Sequence, residues 1–267
     1  MKAELLFLGT GGSSGVPMIG CLCDVCQSSS SLNKRLRSSV LLRWRDRQVL
    51  IDAGPDLREQ ALRHRINRLD AVILTHAHFD HIGGLDDLRV YYLIEGKPLA
   101  CLVSKETYLE IKNRSSYLLE PKQLGKSLPA QLDFMILERD FGDVFFQGLQ
   151  WHFVSYIQGG QKVLGFRVGN LAYISDIREY SMRVIEEIKG IKTLVVSALR
   201  ENPSQMHFSI KEAIEFSRAV GAERTWFTHM SHEVNHEVIS HVLPSNISLA
   251  YDGLTIDFDL GSKDVFS

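Results

Sequence analysis

The sequence predicts one α/β domain over residues 1–267, with two β-sheets inside and helices outside. Strand patterns alternate with helix patterns in both halves of the chain, and no linker, repeat or low-complexity tract separates the halves. A chain of 267 residues with 45% hydrophobic residues is also long enough and apolar enough to bury a sizeable core. These observations favour one layered α/β domain over two small domains.

The first half contains short apolar or alternating runs that are typical of strands. They span residues 4–8, 39–44, 48–52, 71–75 and 99–103. A helix is predicted over 56–65, where Leu57, Ala61 and Leu62 recur at helical spacing, and a second helix over 85–94.

The second half is richer in strand patterns. They span residues 143–146, 149–157, 163–168, 171–175, 193–198, 224–228, 247–251 and 254–258. Gly169-Asn170 forms a two-residue hairpin turn between two of them. Helices are predicted over 179–189, 209–220 and 233–242. The second of these opens with Ser209 and Glu212, which form a capping-box pattern.

Charge and hydropathy exclude several classes of protein. The formal net charge of −2 argues against a strongly basic nucleic-acid binder. No apolar run is long enough to span a membrane. The apolar stretch after Met1 is too short for a signal peptide. We therefore expect a cytoplasmic protein in which free thiols bind metal or stay buried.

A cluster of metal-type ligands follows the strand predicted at 71–75. His76, His78, Asp80 and His81 place three imidazoles and a carboxylate within six residues. Imidazole nitrogen and carboxylate oxygen suit Zn²⁺, Mn²⁺ or Fe. In a continuing strand His76 and His78 would point to the same side, and Asp80 and His81 could reach a second metal ion. The alternative is a solvated, histidine-rich loop.

This run resembles the signature His-x-His-x-Asp-His of the metallo-β-lactamase superfamily. The resemblance implies a four-layer αβ/βα sandwich with further ligands after later strands. Asp176 and His229 match those positions, the aspartate as a bridge between two metal ions and the histidine as a ligand of the second. Taken alone, a carboxylate at the end of a strand is more often a turn or a helix cap.

One ligand that the superfamily usually has is replaced in this chain. Gln158 stands where the third histidine of the first metal position belongs, and an amide oxygen binds Zn²⁺ less well than imidazole does. His152 lies roughly 20 Å away along the strand and is predicted to be structural. The expectation is one or two active-site metal ions, Zn²⁺ or Mn²⁺, with the first position the weaker.

A second cluster of metal-type ligands lies near the N-terminus. Cys21, Cys23 and Cys26 fall within six residues, whereas Cys101 lies in an apolar strand and is expected to be buried. Thiolates at this spacing suit a tetrahedral structural Zn²⁺ that needs one more ligand, and His232 is the candidate. The alternative is a loop with free thiols.

These motifs together are similar to those of the PhnP group in the same superfamily. The chain joins a glycine-rich loop at 8–17 to the cysteine cluster, the histidine run and the sequence Thr-His-Met-Ser-His at 228–232. The resemblance covers nearly the whole chain and implies hydrolysis of a phosphoribosyl cyclic phosphodiester. It also implies an active-site role for His207, which the residues alone would leave as a surface position before a helix cap.

The implied chemistry is metal-assisted hydrolysis, in which a metal-bound hydroxide attacks phosphorus. Asp80, Asp176 and His207 are the predicted catalytic residues, with His207 as general acid for the leaving alkoxide. The expected partner is a small phosphorylated substrate, with no membrane involved.

Two further features carry open alternatives. Arg35 and Arg37 belong to a run of arginines that forms either a solvated strand face or a contact with the substrate phosphate. The loop at 10–15 is either a wall of the substrate cleft or a tight turn after a strand.

Three classes of function stay open. A phosphodiesterase acting on a small substrate leads, and a nuclease or tRNA-processing hydrolase of the same fold is the second. The third is a non-hydrolytic metal-binding protein similar to PqqB, which the glutamine at position 158 favours. Nucleic acid as a substrate and a homodimer are left open.

Overall fold

The computed structural model describes residues 1–119 and 128–261. Its first-half elements are β1 (Lys2–Gly9), α1 (Asp24–Gln27), β2 (Ser39–Trp44), β3 (Arg47–Ile51), α2 (Leu57–Arg63), β4 (Ala71–Ile73), α3 (Phe79–Ile82), α4 (Arg89–Glu95), β5 (Leu99–Ser104), α5 (Lys105–Arg114) and β6 (Leu132–Leu137). Its second-half elements are β7 (Phe141–Phe146), β8 (Leu149–Gln158), β9 (Gln161–Val168), β10 (Leu171–Ile174), α6 (Met182–Ile188), β11 (Thr193–Ser197), α7 (Ile210–Val220), β12 (Arg224–Thr228), α8 (His236–Ser240), β13 (Ile247–Leu249) and β14 (Thr255–Asp259).

The strands form two mixed sheets. Over the described ranges, one sheet has the order β14-β1-β2-β3-β4-β5-β6 and the other has the order β13-β12-β11-β10-β9-β8-β7. The strands from β3 to β6 are parallel, and so are those from β10 to β13. Parallel strands end at the same edge of a sheet, so each sheet presents a row of carboxyl ends where ligands usually bind.

Three apolar cores hold the layers together. Between the sheets, Trp151, Phe153 and Phe166 pack with Phe7 and Trp44 from the opposite sheet. A second core joins α2, α4 and α5 to the outer face of the first sheet. A third joins α6, α7 and α8 to the outer face of the second sheet. The predicted four-layer αβ/βα sandwich is confirmed.

Four elements have no counterpart among the predicted ones, namely the short helices α1 and α3, the helix α5 and the strand β6. The edge strand β6 exposes the consecutive residues Met135 and Ile136, so it lacks the alternation that marks a half-buried strand. Helix α5 follows β5 directly, and the Ser104 hydroxyl caps it by accepting a hydrogen bond from the Thr107 amide. Among the described residues, no helix combines the length and the apolar character needed to cross a membrane.

Candidate active site

Three site residues lie just after the ends of strands and have a left-handed backbone conformation. Asp52 follows β3, Asp176 comes two residues after β10, and His229 follows β12, with φ values of 65°, 51° and 57°. All three side chains are buried. Asp and His are among the few residues enriched in this conformation, and such backbone is concentrated at functional sites.

The histidine run leaves the first sheet as a loop. Strand β4 ends at Ile73, because the Thr75 amide and hydroxyl each donate a hydrogen bond of 2.8 Å to Asp52. The strand alternation expected for His76 and His78 therefore does not hold. The two imidazoles meet across the loop instead, with His76 Nε2 2.9 Å from His78 Nδ1.

Four buried side chains form the first group of potential metal ligands. Asp80 and His81 come from α3, Asp176 and His229 come from the second sheet, and their donor atoms lie within 4.8 Å of one another. The Nε2 atom of His81 is 3.4 Å from each carboxylate, and that of His229 is 3.3 Å from each. Burial would raise the pKa of Asp176, but His229 and His81 hold it well below its usual range.

A second group shares one carboxylate with the first. The donor atoms of His76, His78 and Asp176 lie within 4.8 Å of one another, and His76 Nε2 is 3.7 Å from Asp176 Oδ2. Burial lowers the pKa of both histidines, and that of His76 falls well below its usual value. Neutral imidazoles are the form that binds metal. The structure thus brings together every histidine and aspartate that the sequence predicts as an active-site metal ligand.

Asp52 is a site residue that no motif indicated. Its Oδ2 atom is 2.6 Å from His81 Nδ1, so His81 turns its Nε2 toward Asp80 and Asp176. That Nε2 has no hydrogen-bond partner among the described residues. Burial opposes a charge on His81, but Asp176, Asp52 and Asp80 raise its pKa well above the usual value. The group therefore favours a cation at this nitrogen, which fits a divalent metal ion.

The Asp52 contact makes a specific prediction. Asp52→Asn should lower the affinity of the first ligand group for Zn²⁺ by about 10- to 100-fold, because the amide no longer fixes the orientation of His81. Competition with a chromophoric chelator measures the affinity, and Asp133→Asn on the exposed face of β6 is the control. An affinity within twofold of the wild-type value would show that Asp52 does not orient the ligand.

His207 lies beside the carboxylate that both groups share, and Gln158 contacts His207. Gln158 ends β8 with 2% of its surface exposed, and its Nε2 is 3.3 Å from His207 Nε2. The His207 ring stacks on His229 with centroids 4.8 Å apart, and its Nδ1 is 3.9 Å from Asp176 Oδ2. Burial lowers the pKa of His207 to about 4, so this imidazole is neutral near pH 7.

The glycine-rich loop packs against the site. The Met230 amide donates to the Thr10 carbonyl, and the Gly12 amide donates to the Met230 carbonyl. A Cβ atom at Gly12 would lie 3.4 Å from the His229 ring, which is ordinary van der Waals contact, so the backbone of the loop lies directly beside this ring. The loop is therefore held beside His229.

The two arginines are engaged within the protein. Arg35 is buried and donates hydrogen bonds to the Thr10 hydroxyl and the Ala250 carbonyl. Both alternatives left open for Arg35, a solvated strand face and a contact with the substrate phosphate, are wrong, because this guanidinium is enclosed and ties together two loops. Arg37 forms an ion pair of 2.8 Å with Asp56.

His152 and Cys101 were expected to be structural, and both lie outside the two ligand groups. His152 pairs with Asp143 at 2.9 Å and with Glu187 at 3.1 Å, and it belongs to neither ligand group. Cys101 is fully buried in β5, and burial raises the pKa of its thiol.

The cysteine cluster has the geometry of a tetrahedral metal site. The donor atoms of Cys21, Cys23, Cys26 and His232 lie within 4.8 Å of one another. His232 Nδ1 is 3.3 Å from the Cys21 sulfur and 3.4 Å from the Cys23 sulfur. The Cys26 amide and His232 lower the pKa of Cys23 to about 6, which favours the thiolate. Burial raises the pKa of Cys26 to about 11, so a bound metal ion would be needed to hold this sulfur as a thiolate. Three cysteine sulfurs and one imidazole at these separations fit a structural Zn²⁺.

Comparison with known proteins identifies the family of this chain. Residues 47–230 match the Beta-lactamase superfamily domain. With its two-sheet sandwich and its histidine run, the chain belongs to the metallo-β-lactamase superfamily. Within that superfamily it is PhnP-like: a crystal structure of a new diphosphatase from the PhnP family has a TM-score of 0.89 and 35% identity, over 97% of this chain and 98% of that chain. The family predicted from the motifs is confirmed.

Two further proteins are similar to this chain. An octanoyltransferase of Porphyromonas gingivalis is 33% identical over 95% of this chain and 51% of its own length, so the chain spans about half of that relative. The Zn²⁺-bound PqqB of Methylobacterium extorquens has a TM-score of 0.74 at 18% identity, over 96% of this chain and 100% of that chain. At this identity, the structural likeness to PqqB shows the fold alone.

Proposed function

We propose that the protein is a metal-dependent hydrolase that cleaves a small cyclic or phosphoribosyl-type phosphodiester. The observation that carries the proposal is the pair of ligand groups that share Asp176. Bound there, Zn²⁺ or Mn²⁺ would lower the pKa of a water molecule and neutralise charge on the phosphoryl oxygens. The likeness to a PhnP-family diphosphatase supports a phosphorus-centred substrate.

The roles of the side chains follow from the two groups. One ion would be held by Asp80, His81, Asp176 and His229, and a second by His76, His78 and Asp176. The ionised carboxylate of Asp176 would serve both ions. The contact with Asp52 holds His81 in place, and hydrogen bonds from the glycine-rich loop to Met230 fix the residue next to His229. Side chains fixed before the substrate arrives need no reorganisation during the reaction.

His207 lies beside both groups and belongs to neither. Its Nδ1 has no hydrogen-bond partner among the described residues and is 3.9 Å from Asp176 Oδ2, so it can donate to a substrate oxygen. The resemblance implied that His207 is the general acid for the leaving alkoxide, but a neutral imidazole is a poor general acid. In this proposal His207 stabilises the leaving oxygen by a hydrogen bond, and solvent supplies the proton.

A second candidate is hydrolysis of a diphosphate. The PhnP-family relative is described as a diphosphatase and matches this chain over nearly its whole length. Breaking a diphosphate also cleaves a P–O bond, so the same groups would serve both reactions. The octanoyltransferase activity named for the P. gingivalis relative can belong to the half of that protein outside the match.

A panel assay tests the proposal. Purified protein loaded with Zn²⁺ or with Mn²⁺ is assayed against bis-p-nitrophenyl phosphate, a cyclic ribose phosphate, a dinucleoside diphosphate, short RNA and an octanoyl thioester. We expect the highest kcat/KM on the cyclic ribose phosphate, whereas a preference for the diphosphate supports the second candidate. A preference for RNA or for the thioester would contradict both. No turnover with either metal would leave only a non-hydrolytic role similar to that of PqqB.

A further inference from the structure

Gln158 stands where the superfamily usually has a metal-binding histidine, but its contact in the structure is with His207. The Gln158 Nε2 atom is 3.3 Å from His207 Nε2, and the Oε1 atom is buried without a hydrogen-bond partner among the described residues. An amide nitrogen has no lone pair with which to bind a metal ion, and it always donates in a hydrogen bond. The amide nitrogen therefore contacts an imidazole, and the remaining Oε1 is an amide oxygen, which binds Zn²⁺ less well than imidazole does.

This contact determines where the single proton of a neutral His207 resides. When the amide donates to Nε2, that nitrogen must accept, and the proton lies on Nδ1. The Nδ1 atom is the one that faces Asp176, at 3.9 Å from Oδ2. The stack on His229 fixes the plane of the ring, with 27° between the two imidazoles. The proton is thus directed toward the carboxylate that the two ligand groups share.

We propose that Gln158 is a positioning residue that keeps His207 in the Nδ1–H tautomer, and that it is not the third ligand of the first metal position. This inference rests on the proposed function only where the Nδ1 proton is assigned to a hydrogen bond with the leaving oxygen. The tautomer and the metal content can be measured without a substrate. The first position then has two imidazoles and the shared carboxylate, and it holds its ion less tightly than the second.

The tautomer is read from the ¹⁵N shifts of His207 in Zn²⁺-loaded protein labelled at histidine. The expected spectrum has a protonated Nδ1 and an unprotonated Nε2. In Gln158→Leu the population should move toward the Nε2–H form, which free imidazole side chains prefer. A wild-type spectrum with the proton on Nε2 would overturn the proposal, because the amide would then accept from His207 through Oε1.

Metal content and kinetics provide the second readout. Gln158→Leu should retain the wild-type number of metal ions per chain, while kcat on bis-p-nitrophenyl phosphate falls by about 10- to 100-fold and KM stays within about twofold. Loss of one metal ion would overturn the proposal, because it would make Gln158 a ligand. Gln150→Leu, on the same strand, is the control. If the leucine variant does not fold, the tautomer alone is read in Gln158→Glu, whose ionised carboxylate can only accept and should move the proton to Nε2. If no substrate is hydrolysed, the proposed function fails while the tautomer and the metal count still decide the role of Gln158.

Discussion

Replacing Asp176 with asparagine is expected to reduce hydrolysis by on the order of 10²- to 10³-fold, the loss typical of removing one preorganised electrostatic group. Asp176 is the only residue common to the two ligand groups found among the described residues, and it is 1% exposed. The asparagine has nearly the same shape but no charge, so it can neither balance two cations nor act as a strong ligand for both. The effect should therefore appear in kcat and in metal content together.

The measurement compares kcat/KM on bis-p-nitrophenyl phosphate with the number of active-site metal ions per chain. Asp257→Asn, an exposed carboxylate on β14, is the matched control and should retain both. An Asp176→Asn enzyme with activity within a few fold of wild type would show that this carboxylate does not hold the metal ions.

The second large effect is expected from Cys23→Ser. Loss of this thiolate should release the structural Zn²⁺ and lower the Tm by about 10 °C. We take about 3–5 kcal/mol of the zinc-binding free energy to contribute to the free energy of unfolding. For a chain of this length, each kcal/mol of stability lost lowers the Tm by about 2–4 °C, which gives a shift of this size. The cluster joins the loop around Cys23 to His232, three residues after His229, so its loss should also loosen the active site.

Thermal unfolding and zinc content per chain measure this effect. Ser29→Ala, an exposed residue of the same loop, is the control and should keep both values. A Cys23→Ser protein with an unchanged Tm and an unchanged zinc content would show that the cysteine cluster holds free thiols, which was the alternative left open by the sequence.

The parts of the fold that could be predicted are those that a local pattern encodes. The boundaries of β2 are the predicted ones, because its apolar run is bounded by polar residues. Helix α7 begins after the Ser209 cap that was expected from its capping box. Strand β6 was missed because an edge strand with two consecutive exposed apolar residues has no two-residue period.

The same distinction applies to the site. His76 to His81 form a contiguous motif, so the sequence indicated them directly. Asp52 was missed although it follows the apolar strand β3 just as Asp176 follows β10, because only the fold places it 2.6 Å from His81. Arg35 was misread for the opposite reason: its charge suggested solvent or a phosphate, but tertiary packing buries it against Thr10 and Ala250.

Removal and return of the active-site metal ion is the most direct measurement of whether this protein is a metal-dependent phosphodiester hydrolase. The kcat/KM on bis-p-nitrophenyl phosphate is followed while a chelator strips the histidine–aspartate groups and while Zn²⁺ or Mn²⁺ is then added back, with metal content determined at each step. We predict that activity disappears with the active-site ion and returns with it in the wild-type protein, but not in Asp176→Asn. Activity that survives complete removal of that ion, or that never appears after its return, would contradict this account.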